Sequence, residues 1–198
     1  MKINEFQNEE DFIKASLELI KKISPKKVAL SGGNTPKNLY KKMSELSLKN
    51  VEFFQVDERY VHKEHEDSNY KMIQESLEKD IHHFDTSLSI PKSLEKYKKE
   101  LPEQFDLTIL GIGNDGHTAS LFPNTAALHS QEKVAHTKNI QDRLTITFPV
   151  ILNSKNILVL LKNKKEVLEE LKNPSKTIEE FPCLKLLEYQ NLEINYLN

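Results

Sequence analysis

Asp115 and His117 stand two residues apart in Gly111-Ile112-Gly113-Asn114-Asp115-Gly116-His117, directly after the apolar run at 105–110. A carboxylate beside an imidazole fixes the histidine tautomer and stabilises its protonated form, as a general base requires. The same stretch also satisfies G-x-G-x-x-G, the dinucleotide-binding fingerprint. Context argues against that reading. The fingerprint needs a long helix behind it, whereas Pro123 arrives seven residues after Gly116. The acidic residue expected about twenty positions on is missing, because that neighbourhood reads Val134-Ala135-His136-Thr137.

Two further segments carry groups suited to an anion. Ser31-Gly32-Gly33-Asn34-Thr35-Pro36 is not a P-loop, but it is a glycine turn feeding a helix start. Exposed backbone N–H groups, the helix dipole and the Ser31 and Thr35 hydroxyls would suit a phosphate. An ordinary turn with Thr35 as helix cap and Pro36 in the first turn explains the same residues equally well. Asp57-Glu58-Arg59 ends an apolar run, so Arg59 could present a fork to phosphate or carboxylate, and Asp57 a carboxylate to the same cleft. His62 and His65 lack companions in a metal-ligand spacing, and no metal site is expected.

These groups need a scaffold, and hydrophobic periodicity supplies one. Helices are expected at 8–23, 35–46, 67–81, 93–101, 164–172 and 182–189, with strands at 28–30, 51–56, 105–110, 134–137, 143–148, 156–161 and 192–197. Residues 82–91 read as a connection. Alternating strands and helices predict an α/β class with a mainly parallel sheet, as one domain over 1–198. All three polar segments follow strands, and in such sheets ligands bind at the carboxyl ends of the strands.

Composition narrows the classes. The chain has 198 residues, 37% hydrophobic and 29% charged, with 28 basic and 30 acidic side chains giving a net charge of −2. No basic excess points to nucleic acid, no apolar run reaches a membrane span, and the acidic N-terminus lacks a signal-peptide core. The single cysteine, Cys183, fits a reducing cytoplasm. Average usage of about 7% would give roughly fourteen glycines. There are five, and all fall in the two loops already quoted.

With these pieces assembled, the chain resembles the 6-phosphogluconolactonases, within the wider group that includes glucosamine-6-phosphate deaminases. The resemblance rests on "LSGGNTPKNLY", "VDERYVHKEHEDSNYKM", "FDLTILGIGNDGHTASLFPNT" and "KNIQDRLTIT", in that order between Leu30 and Thr147. It implies a Rossmann-like α/β/α sandwich that hydrolyses 6-phospho-D-glucono-1,5-lactone to 6-phosphogluconate, the second step of the oxidative pentose phosphate pathway. It implies His117 as base, Asp115 as its orienting partner, and Asp57 and Arg59 lining the sugar and phosphate side. It also implies Ser31, Gly32, Gly33, Asn34, Thr35 and Gly113 around the substrate, with Lys138 and Arg143 as cations for the phosphate. No cofactor is implied, and a cytoplasmic monomer or weak homo-oligomer is expected. Two departures stand out. Where the deaminase branch carries a glutamate that helps to open the sugar ring, this chain has Phe122, and the family's Lys-Pro-Pro reads Lys138-Asn139-Ile140.

Overall fold

The computed structural model describes residues 1–46, 48 and 50–198. Its centre is β2 (Lys27–Leu30), short and almost wholly buried, flanked by β3 (Glu52–Gln55) and β6 (Leu107–Gly111). The sheet extends through β9 (Ile157–Lys162) and β10 (Leu192–Leu197) to β1 (Lys2–Phe6) at one edge, and to β5 (Ile81–His82) at the other. The order is β1-β10-β9-β6-β2-β3-β5, and every adjacent pair is parallel.

Side chains alternate across a strand, so each central strand contributes to two cores. Val28, Leu30, Leu107, Ile109, Leu158 and Leu160 pack with Phe12 and Ile20 of α1 (Glu9–Ile23), with Leu39 and Met43 of α2 (Asn34–Ser44), and with Ile73 of α3 (Asn69–Leu77). Ala29, Leu110, Val159 and Leu161 look the other way. They meet Tyr97 of α4 (Ile90–Glu100), Ile151 of α5 (Phe148–Leu152) and Leu168 of α6 (Lys165–Lys172). Helices on both faces of a parallel sheet make the expected α/β/α sandwich. No helix among the described residues is long and apolar enough to cross a membrane.

From β2 the chain moves outward one way through β3 and β5, and the other way lie β6, β9 and β10. The strand order therefore reverses between β2 and β6, and the crevice above that point is where open α/β sheets bind ligands. The loops after β2 and β6 are the two glycine segments.

Several elements differ from the sequence expectation. Asp57-Glu58-Arg59 does not end a strand but forms its own, β4 (Asp57–Arg59), in a second antiparallel sheet with β8 (Asp142–Ile146) and β7 (Val134–Lys138). Three polar residues give no strand periodicity of their own, and backbone pairing to β8 decides. β1 and α5 carried no periodic signal, being short and, for β1, largely polar on an edge. Thr35 does not cap α2. The helix starts one residue earlier, Gly33 is its cap at φ 94°, and no side chain caps it. The helix expected at 182–189 is a 3-10 segment, Pro182–Glu188. Leu46 lies beyond the end of α2.

Candidate active site

A cleft of about 230 Å³ opens at the carboxyl ends of β2, β6 and β9, walled on one side by the β4–β8 ribbon. Ser31, Gly32, Gly33, Asn34, Thr35, Asp57, Arg59, Gly113, His117 and Arg143 all line it. Residues 112 positions apart thus share one small space, as the strand-end placement required.

The β6 loop is built around its histidine. The Gly113 N–H donates to the His117 carbonyl at 2.8 Å, closing the turn. A Cβ on Gly113 would overlap His117 Nδ1 and lie 2.7 Å from Asp115 Oδ1, so only glycine leaves room for the pair. Asp115 stands behind the imidazole, with Oδ1 at 2.5 Å from Nδ1 and 3.2 Å from the His117 N–H. Burial would raise the Asp115 carboxyl, but its hydrogen bonds and charge interaction with His117 prevail and hold it below the usual range. With Nδ1 engaged, the neutral ring carries its lone pair on Nε2, which has no protein partner among the described residues. Phe122 packs against the ring, centroids 4.6 Å apart, and lies 5.7 Å from the Arg143 guanidinium carbon.

The β2 loop leaves α2 without a side-chain cap, so its first backbone N–H groups are open to an anion. Tyr40 fixes the loop by donating to the Ser31 carbonyl at 2.8 Å. The Ser31 hydroxyl is buried and has no partner among the described residues.

The ribbon brings cations together. Arg59 and Arg143 are direct partners across the antiparallel β4–β8 pair. Like charges placed opposite one another are destabilising unless an anion intervenes. Asp57, 5% exposed, accepts from the Ser120 hydroxyl at 2.6 Å and lies 4.0 Å from Arg143 Nη1. Burial pulls the Arg143 guanidinium down and Asp57 opposes that, while Arg143 Nε stays unpaired among the described residues. Glu58 serves the scaffold instead. It accepts from Gln55, Ser68 and the N–H groups of Arg59, Asn69 and Tyr70, tying β4 to the start of α3. Burial raises its carboxyl, and those donors offset part of the rise.

Lys138 is not in the lining. It is exposed at the end of β7 in register with Asp142, one step beyond the Thr137–Arg143 pair, so the ribbon carries it past the cleft. Lys164 and Asn69 are the lining residues with polar side chains that sequence reasoning missed. Lys164 follows β9 and donates to the Ile112 carbonyl; burial lowers its ammonium and Asp115 opposes that. Its sequence signal was its place just after a strand, inside a run of lysines.

A parallel sheet with a cleft at its strand reversal, lined by an aspartate-backed histidine and an arginine pair, defines a Rossmann-like α/β protein. The family model for glucosamine-6-phosphate isomerases/6-phosphogluconolactonase matches residues 7–193. The 6-phosphogluconolactonases of Synechocystis sp. and Thermotoga maritima are each 37% identical, over 156 and 151 residues; each alignment covers 68% of this chain, and they span 65% and 68% of those proteins. The chain is similar to the crystal structure of the Thermotoga maritima 6-phosphogluconolactonase, with TM-score 0.87, 28% identity, and 99% of this chain and 98% of that one covered. It is also similar to the Trypanosoma brucei 6-phosphogluconolactonase, with TM-score 0.84, 26% identity, and 98% and 95% covered. The chain belongs to the glucosamine-6-phosphate isomerase/6-phosphogluconolactonase family.

Proposed function

We propose that the chain hydrolyses 6-phospho-D-glucono-1,5-lactone to 6-phospho-D-gluconate, with His117 as general base. The observation that carries this reading is one cleft holding two things: an imidazole whose Nδ1 is held by Asp115, and an arginine pair with unfilled hydrogen-bonding capacity. A lactone is an activated cyclic ester, so an oriented base and electrostatic support suffice.

In this reading the phosphate enters between Arg143, Lys164 and the uncapped start of α2, with the Ser31 hydroxyl completing its contacts. Its negative charge relieves the opposition of Arg59 and Arg143. Asp57 holds Arg143 rather than moving protons. The substrate's C1 carbonyl lies towards His117. Nε2 takes a proton from water as the water oxygen bonds to C1, and the carbonyl oxygen gains charge. Donors that face the cleft, with Arg59 the leading one, support that oxyanion. The C1–ring oxygen bond then breaks, and the imidazolium returns its proton to the departing oxygen. General base catalysis of this kind contributes about 10²–10⁴-fold.

Sugar-ring opening by an amino-sugar phosphate isomerase needs a second proton carrier beside the histidine. The ring against His117 is that of Phe122, which cannot transfer protons. Freshly generated lactone followed spectrophotometrically, beside ammonia release from glucosamine 6-phosphate, separates the two activities. Lactone turnover above the spontaneous rate without ammonia release is expected. Ammonia release, with lactone decay no faster than spontaneous, would overturn the reading.

A further inference from the structure

One amide side chain touches two of the segments that wall the cleft, β4 and the β2 loop. Asn69, 5% exposed, is the first residue of α3. Its N–H donates to Glu58 Oε1 at 2.7 Å, and its Nδ2 donates to the Asp57 carbonyl at 2.9 Å. Its Oδ1 accepts from Arg59 Nη1 at 3.1 Å. On its other side the amide abuts Gly32. A Cβ there would overlap Asn69 Cγ and lie 2.7 Å from Asn69 Cβ. The amide orientation follows from its neighbours: flipped, it would set a donor against Arg59 and an oxygen against the Asp57 carbonyl.

Arg59 Nη1 donates a second time, to the Asp67 carbonyl at 2.6 Å. Both Nη1 hydrogens are therefore engaged, on two acceptors that fix the guanidinium plane. Nε and Nη2 have no partner among the described residues, and Arg59 lines the cleft. A guanidinium already held in place loses less freedom when it binds an oxyanion.

Resting on the lactone-hydrolysis reading of this cleft, we propose that Asn69 is a positioning residue for Arg59, aiming its free donors at the substrate. Asparagine suits the task because it offers a donor and an acceptor in one plane. Aspartate would keep the acceptor but set a carboxylate against the Asp57 carbonyl, and its charge would neutralise the guanidinium. Alanine would remove both bonds and leave the charge.

The test compares wild type, Asn69→Ala, Asn69→Asp, Arg59→Ala and the Arg59→Ala/Asn69→Ala double variant. Each is checked for an unchanged fold by circular dichroism. Asn69→Ala is expected to lower kcat/KM about tenfold in the wild-type background and less than twofold once Arg59 is absent. Asn69→Asp is expected to lower it further than Asn69→Ala. An equal loss in both backgrounds would mean a purely structural role and overturn the proposal. A second readout is independent of turnover: the side-chain nitrogen resonances of Arg59 in labelled protein. Distinct Nη1 and Nη2 signals are expected in wild type, averaging in Asn69→Ala. Signals unchanged by that substitution would overturn the proposal even if the lactone is not the substrate, whereas absent wild-type turnover alone would overturn only the parent reading.

Discussion

The two ends of the parallel sheet carry depressions of very different character. At the amino ends of β2, β6, β9 and β10 lies an open hollow of about 800 Å³, lined by Lys22, Lys26, Asp106, Lys155 and Glu193 among others. Its carboxylates are paired within the protein. The Asp106 carboxylate accepts from the Lys26 and Lys27 N–H groups at 2.9 and 3.0 Å and from Lys155 Nζ at 2.8 Å, while Lys2 meets Glu193 at 3.1 Å. The cleft at the carboxyl ends is smaller, at about 230 Å³, but its polar groups are unfinished. Ser31 Oγ and Arg143 Nε are two of the three buried side-chain polar atoms without a partner among the described residues, and both lie there. Buried polar groups are normally satisfied, so these two atoms keep hydrogen-bonding capacity that the rest of the interior has used. Unmet hydrogen bonds, not volume, distinguish the site.

Substitutions sharpen that contrast in descending order. His117→Ala should lower kcat for the lactone on the order of 10³-fold with little change in KM, because a general base acts in the transition state; a loss of less than tenfold would remove the histidine from the chemistry. Gly113→Ala forces the imidazole aside, and displacements of that kind cost about 100-fold. Its kcat should fall by that order while the thermal midpoint changes little by comparison. Next come the two lysines. Lys164→Ala should raise KM roughly tenfold, the value of a lost charged hydrogen bond, and Lys138→Ala less than twofold; the reverse ranking would put Lys138 back in the site.

The smallest effect on turnover belongs to the other end. Asp106→Asn should leave kcat/KM within about twofold and cost roughly 1–3 kcal/mol of stability. Burial alone would raise the Asp106 carboxyl, but Lys155 and the two N–H groups prevail and hold it below its ordinary value. A carboxylate depressed on folding stabilises fully above its unfolded pKa, near 3.9, and loses that contribution as pH falls through the folded value. The stability gap between wild type and Asp106→Asn should therefore be full at neutral pH and close under acid. Denaturant titrations at several pH values would reveal it.

The most legible parts of the sequence were those where residue types are scarce. Five glycines confined to two loops marked the crevice before any strand order was known, and Asp115 and His117 were close enough in sequence to be read as a pair. Arg143 drew notice only through resemblance, since its position opposite Arg59 depends on β4–β8 pairing, 84 residues apart. Lys164 was hidden by abundance. In a chain with 28 basic residues, Lys162, Lys164 and Lys165 read as a solvated face, and periodicity does not show which one is desolvated. Asn69 looked like an ordinary helix start because its partners Asp57, Arg59 and Gly32 lie on other elements. β4 is hidden for the same reason: it reads as the end of the preceding run until its partner strand β8 is present. Local signals are written in local sequence, and contacts across elements are not.

The most direct test of the contrast between the two ends is a titration of backbone-labelled protein with 6-phosphogluconate, followed through amide resonances. Saturable shifts confined to residues 31–35, Gly113, His117 and Lys164, with Lys22, Lys26 and Asn191 unmoved, are the expected result. Shifts concentrated in the larger hollow, with His117 and the glycine loops silent, would contradict it.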